Sequence, residues 1–170
     1  TFFGYMLGYE NETEMFRIVR EELSKYSPET ALVNDGVTKW ELGEIYPLAK
    51  SLGFTTTGIV SKNILDDPSD ISPSVDHICF MDDAQWGGKL PNSEELSPTS
   101  KVMVDCSDVL IALGGNEVSR DELKKTQKLG KSIHYHPAEM NHENAIRHAK
   151  RKGLPPPESF LGAVHEVFRK

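Results

Sequence analysis

The stretch Asp108-Val-Leu-Ile-Ala-Leu-Gly-Gly-Asn-Glu-Val-Ser-Arg-Asp-Glu122 constrains the fold most, because an apolar strand runs into two glycines and then directly into a helix start. Five apolar residues, Val109–Leu113, are too few for a buried helix and suit a parallel strand covered on both faces. Ser119 followed three residues later by Glu122 has the spacing of a capping box, which predicts a helix over 120–129. Such a turn aims unpaired N–H groups from the head of a helix dipole, where phosphate or another anion is readily held. It serves equally as a plain tight turn, since glycine is the default residue where φ must be positive.

The rest of the chain repeats the alternation. Strands are predicted at 2–7, 30–33, 54–60, 77–81, 109–113 and 131–136. Asn11 with Glu14 caps a first helix whose Met15, Ile18, Val19 and Leu23 share one face. Thr38 and Glu41 form a second capping box ahead of Leu42, Ile45, Leu48, Ala49 and Leu52, with Gly53 closing the helix and Pro47 predicting a kink near Tyr46. Strands and helices at this spacing indicate an α/β fold, a doubly wound, mostly parallel sheet of about six strands flanked by helices. Ligands in such sheets sit outside the carboxyl ends of the strands, so the loops at 8–11, 35–40, 81–86, 114–120 and 137–142 are expected to converge on one site. The segments 63–76 and 84–100 read as surface excursions, the second as a candidate lid.

Size and charge narrow the function classes. A chain of 170 residues needs one core, and residues 1–154 read as that domain. A net charge of −7 with scattered Lys and Arg excludes nucleic acid and anionic membrane as main partners. No apolar run approaches the roughly 18 residues that cross a bilayer. Cys79 and Cys106 lie in or beside apolar strand patterns, which predicts buried small hydrophobes in a reducing, cytoplasmic compartment. Residues 155–170 open on Pro155-Pro156-Pro157 and continue as a helix over 158–169. Its stripe of Phe160, Leu161, Val164, Val167 and Phe168 is expected to pack on the domain or at a homodimer interface.

Asn34-Asp-Gly-Val-Thr-Lys-Trp-Glu-Leu-Gly-Glu-Ile-Tyr-Pro-Leu-Ala-Lys-Ser-Leu-Gly-Phe-Thr-Thr-Thr-Gly-Ile59, together with the glycine turn, resembles the SLOG superfamily. That group includes the "Lonely guy" proteins, long known as lysine decarboxylase-like, and molybdenum-cofactor carrier-like members. The resemblance spans roughly residues 3–149 and implies a Rossmann-like sheet. Against the family's Pro-Gly-Gly-x-Gly-Thr-x-x-Glu, Gly114 stands at the proline, Gly115 at the first glycine, Asn116 and Val118 at the other two, Ser119 at the threonine and Glu122 at the glutamate. Thr99 and Ser100 stand where the family's Arg-Lys-x-x-Met places its cations, with Lys101 out of register and Arg120 as a cation from the far side of the loop.

The resemblance implies a small-molecule ligand of nucleotide-like, phosphorylated character on the 114–119 loop, carried or sensed, or else cleaved at its N-glycosidic bond. Glu122 is then the catalytic candidate, with a capping role as the alternative. The expected binding residues are Gly8, Tyr9, Gly36, Thr38, Asp82, Gly114, Gly115, Asn116, Ser119, Arg120 and His136. Asp82 and Asp83 read either as contacts for ribose hydroxyls or Mg²⁺ or as solvated turn residues. His134 and His136 share one side of a strand, and with His142 and His148 they superficially suggest a metal site. No cysteine joins them, however, and His142 and His148 do not share a face, so no metal is expected and no cofactor is identified.

Overall fold

Alternating strand and helix segments produce parallel pairing. The computed structural model describes residues 1–168, the Glu41 side chain excepted. Its elements run β1 (Phe2–Phe3), α1 (Glu12–Leu23), β2 (Leu32–Asp35), α2 (Ile45–Ser51), β3 (Thr55–Ser61), β4 (His77–Met81), α3 (Pro98–Asp105), β5 (Val109–Leu113), α4 (Glu117–Lys128), β6 (Ser132–His136), α5 (His142–Arg151) and α6 (Gly162–Phe168). The fold is α/β, with two three-stranded parallel sheets ordered β1-β5-β6 and β2-β3-β4. At the seam between them, Asn34 Nδ2 donates to Thr1 Oγ1 at 3.3 Å.

Period-two alternation divides the strand side chains between two cores. Phe2, Ile111 and Leu113 join Val33 and Phe54 beneath Met15, Ile18, Val19 and Leu23 of α1 and Ile45, Leu48 and Ala49 of α2. Their neighbours Phe3, Leu110 and Ala112 turn the other way, with Ile59, onto Met103 and Val104 of α3, Leu123 of α4 and Val164 of α6. The continuous apolar run of β5 therefore reflects burial on both faces.

Several boundaries differ from the sequence reading. β1 is two residues long, and β2 lies at Leu32–Asp35, which brings Asp35 to its carboxyl end. The second helix opens as a 3-10 turn over Glu41–Glu44 with Trp40, not Thr38, at its cap; the Glu41 half of the predicted capping box lies outside the described residues. Pro47 lies in the first turn of α2, just after the chain passes from the 3-10 turn into the α-helix. α4 starts at Glu117, not at 120, because Asn116 Oδ1 accepts from the Val118 and Ser119 amides and takes the cap three residues early. Cys79 and Cys106 are exposed, contrary to their apolar settings.

α6 is anchored on its own chain. Val164 is fully buried, its amide donates to Gly115 O at 3.2 Å, and Phe168 packs on Tyr135. The predicted helix runs to 169, which lies outside the described residues. No helix among those described is long and apolar enough to cross a membrane.

Candidate functional site

Strand β5 delivers the chain to Gly114 and Gly115, with φ of 61° and 132°. Both conformations favour glycine, and both positions are crowded. A Cβ on Gly114 would overlap the Tyr5 ring, and one on Gly115 would lie 2.8 Å from Val164 Cγ2 and 2.9 Å from Ser119 Cβ. Tyr5 spans this turn, its hydroxyl donating to Ala138 O at 3.0 Å, and burial pushes its pKa up to about 12. The two glycines are thus a packing junction between Tyr5 and α6. The open part of the loop lies one step further on, where the Asn116 and Glu117 amides meet no acceptor among the described residues at the head of the twelve-residue α4.

Beside that loop, the first turns of α3 and α4 meet in a buried polar contact, the floor of the candidate cleft. Ser100, wholly buried on α3, accepts from the Gly88 amide at 2.7 Å and donates to Glu122 Oε1 at 2.5 Å. Glu122 is 5% exposed and does not reach back to Ser119, so the capping-box pairing predicted for it is absent; the early cap at Asn116 puts both residues inside the helix. Burial pushes the Glu122 carboxyl up to about 8, the Ser100 hydroxyl opposes the shift, and the charges of Asp35 and Asp121 add to it. Asp35, at the end of β2, is likewise pushed up by burial, to about 7, against a hydrogen bond from the Gly36 amide. Two acidic side chains from opposite halves of the strand set therefore share one edge, each holding its proton far above the usual carboxylate range.

The 84–100 excursion closes over this cleft. Asp83 is buried and fixes both of its ends: Oδ1 accepts from the Gln85 amide and Oδ2 from the Thr99 amide, each at 2.9 Å, while its carbonyl accepts from Ser61 Oγ. Burial raises the Asp83 carboxyl, but these donors outweigh it and hold the pKa low. Lys89 and Leu96 pair as a small hairpin between them, and Gly88 abuts Val118. Three exposed apolar side chains, Met6, Trp40 and Trp86, stand on the loops after β1, β2 and β4. Trp40 is pinned, its Nε1 donating to Asp70 at 3.1 Å with the Lys39 ammonium 4.6 Å over its ring.

The expected binding residues do not all meet. Asn116, Ser119 and Glu122 lie together on α4, with Arg120 donating to Asp121 at 3.0 Å instead of standing free for an anion. Gly36 O accepts from the Tyr46 hydroxyl, and Thr38 bridges to Ile71, which places both beside Asp35 in structural roles. Asp82 is exposed, while its neighbour Asp83 does the anchoring. Gly8 accepts from the Asn141 amide through its carbonyl. Tyr9 is buried and donates to Leu113 O at 3.1 Å.

His136 belongs to another cluster, across the sheet from Glu122. Glu22 of α1, 1% exposed, meets His136 Nε2 at 2.7 Å, His134 Nδ1 at 2.8 Å and Lys25 Nζ at 2.7 Å. Burial alone would raise the Glu22 carboxyl, but its three partners hold it at about 2. Among the described residues no group of three or more His, Cys, Asp or Glu is arranged to hold a metal ion. A groove of about 830 Å³ opens at the opposite edge of the strands, lined by Thr1, Asn34, Thr55 and Ser107 among others.

Sequence reasoning overlooks Asp35, Ser100 and Glu22. Asp35 carries a usable signal, an acidic residue closing an apolar strand at the edge where ligands bind. Ser100 carries none, because its role depends on two helices meeting. No family model, curated protein or solved structure matches this chain.

Proposed function

We propose that the protein binds a nucleotide or nucleotide-like phosphorylated ligand at the carboxyl edge of its strands, as a carrier or sensor. The observation that carries the reading is the meeting of two carboxyls at one edge of the strands, Asp35 at the end of β2 and the buried Glu122 of α4, whose one donor among the described residues is the Ser100 hydroxyl and whose nearest charges are of its own sign. The free Asn116 and Glu117 amides at the head of α4 suit a phosphate, and the exposed rings of Trp40 and Trp86 at the same edge suit a planar base. In this reading the two parallel triplets act as one doubly wound, Rossmann-like sheet joined at the β1–β2 seam, whose order reverses between β1 and β5, the place where such folds seat ligands.

A second reading, cleavage of an N-glycosidic bond in a nucleoside monophosphate, draws on one specific observation. Burial pushes both carboxyls up, and the charge of Asp35 adds to the rise at Glu122, so one carboxyl of the pair can hold a proton while the other gives one up, as an acid and a base must. A panel of nucleoside monophosphates scored for both thermal shift and free base tests the two together. Stabilisation without base release supports binding alone, and sustained release lost in Glu122→Gln supports cleavage. No shift with any nucleotide or sugar phosphate at millimolar concentration would refute both.

A further inference from the structure

We infer that Ser100 is a positioning residue of this cleft: by holding Glu122 Oε1 it makes Oε2 the oxygen that meets a ligand. The inference rests on the reading of the cleft as a binding site and assigns the atom through which Glu122 acts. Ser100 is wholly buried and has one proton to donate. One of its lone pairs is taken by the Gly88 amide, and the hydroxyl stands 2.5 Å from Glu122 Oε1. Were the Glu122 proton on Oε1, it would point at Ser100 and leave the serine proton buried without an acceptor, which is costly. The serine proton therefore goes to Oε1, and the proton of the neutral acid resides on Oε2.

The surroundings of Oε2 agree with this. Among the described residues it has no hydrogen-bond partner. The buried side-chain polar atoms left without partners are the Ser97 and Thr99 hydroxyls, and Oε2 is not among them, so it keeps contact with solvent. One oxygen is thus locked into the protein and the other keeps the side chain's small residual exposure. A ligand meets Glu122 as a hydrogen-bond donor, through an acceptor atom such as a ring nitrogen or a bridging oxygen. The Gly88 link ties this arrangement to the 84–100 excursion.

Infrared difference spectroscopy of the ligand-free protein, parent minus Glu122→Gln at pH 6, isolates the carbonyl stretch of the protonated Glu122. The expected band lies at the low wavenumber of a hydrogen-bonded C=O. It moves up in Ser100→Ala and returns in Ser100→Thr, which keeps the hydroxyl. A parent band already at the free-carbonyl position, or one unmoved in Ser100→Ala, would overturn the inference, since a packing role alone leaves the stretch where it is. Should Ser100→Ala fail to fold, Ser100→Cys, a weaker donor, is expected to show a partial upward shift, and no shift there overturns the inference as well. No nucleotide enters these measurements, so their failure is distinct from a failure of the binding reading, which the thermal shifts decide.

Discussion

Glu122→Gln is expected to stabilise the protein at neutral and alkaline pH, in proportion to what the native fold loses by keeping this carboxyl buried. The group's pKa rises from 4.5 to about 8 on folding. A raised acid contributes stability that is fully present below pH 4.5 and is lost as pH rises through the folded value. At about 1.4 kcal/mol per unit, the loss is roughly 1 kcal/mol at pH 5 and about 3 kcal/mol at pH 7, and it levels off above pH 8. Glutamine cannot ionise, and it fits the neutral acid atom for atom: Oε1 still accepts from Ser100 and Nε2 faces the cleft. Asp35 is common to both proteins and cancels to first order in the difference. Thermal melts of parent and variant from pH 5 to 9 should therefore diverge, with the variant ahead by about 8 °C at neutral pH for a chain of this size. A constant offset across that range would refute the reasoning, because it would show that Glu122 titrates alike in the folded and unfolded chain.

The buried carboxylate on the other face should behave in the opposite way. Glu22 is held at about 2, so its contribution is present above pH 4.5 and lost as pH falls through the folded value. Glu22→Gln should cost about 2 kcal/mol at pH 7, allowing for its partly exposed partners, and the gap to the parent should narrow in acid melts; a gap as wide at pH 2.5 as at pH 7 would refute it. Gly115→Ala should lower stability by about 2 kcal/mol through its φ of 132° and its contacts with Val164 and Ser119. An unchanged denaturant midpoint would show that the α6 contact gives way freely, and the same crowding makes any larger side chain at 115 a test of packing before it is a test of ligand approach.

The layers are legible in the sequence and the site only in part. Period-two and period-3.6 patterns place β3 to β6 and the inward faces of α1 and α2 nearly where they lie, because burial on two faces leaves little freedom to the apolar positions. Cap positions are less secure: Asn116, Thr38 and Ser119 all have capping chemistry, and only tertiary packing decides which is used. The Gly114–Gly115 turn reads in one dimension as an open cradle, yet what covers it, Tyr5 and α6, comes from residues about 110 positions before it and about 50 after it. Spacing finds Glu122 but not its surroundings, since Ser100, Gly88 and Asp35 reach it from three separate segments.

Glu22 and Glu122 provide an internal comparison within one chain. Both carboxyls are almost wholly removed from water. Glu22 receives two imidazoles and an ammonium, so its charge is compensated and its burial serves the packing of α1 on β6. Glu122 receives one hydroxyl on one oxygen, while the nearest charges, Asp35 and Asp121, are of its own sign. Glutamine at 122 would keep the acceptor that the buried Ser100 hydroxyl needs without burying an ionisable group. In the proposed function, a ligand that takes the Glu122 proton or its hydrogen bond offsets this burial. That is why the pH dependence of Glu122→Gln and the nucleotide shifts belong in one experiment: a variant that is more stable at pH 7 and has lost its response to nucleotides would tie the cost of burying Glu122 to its proposed use.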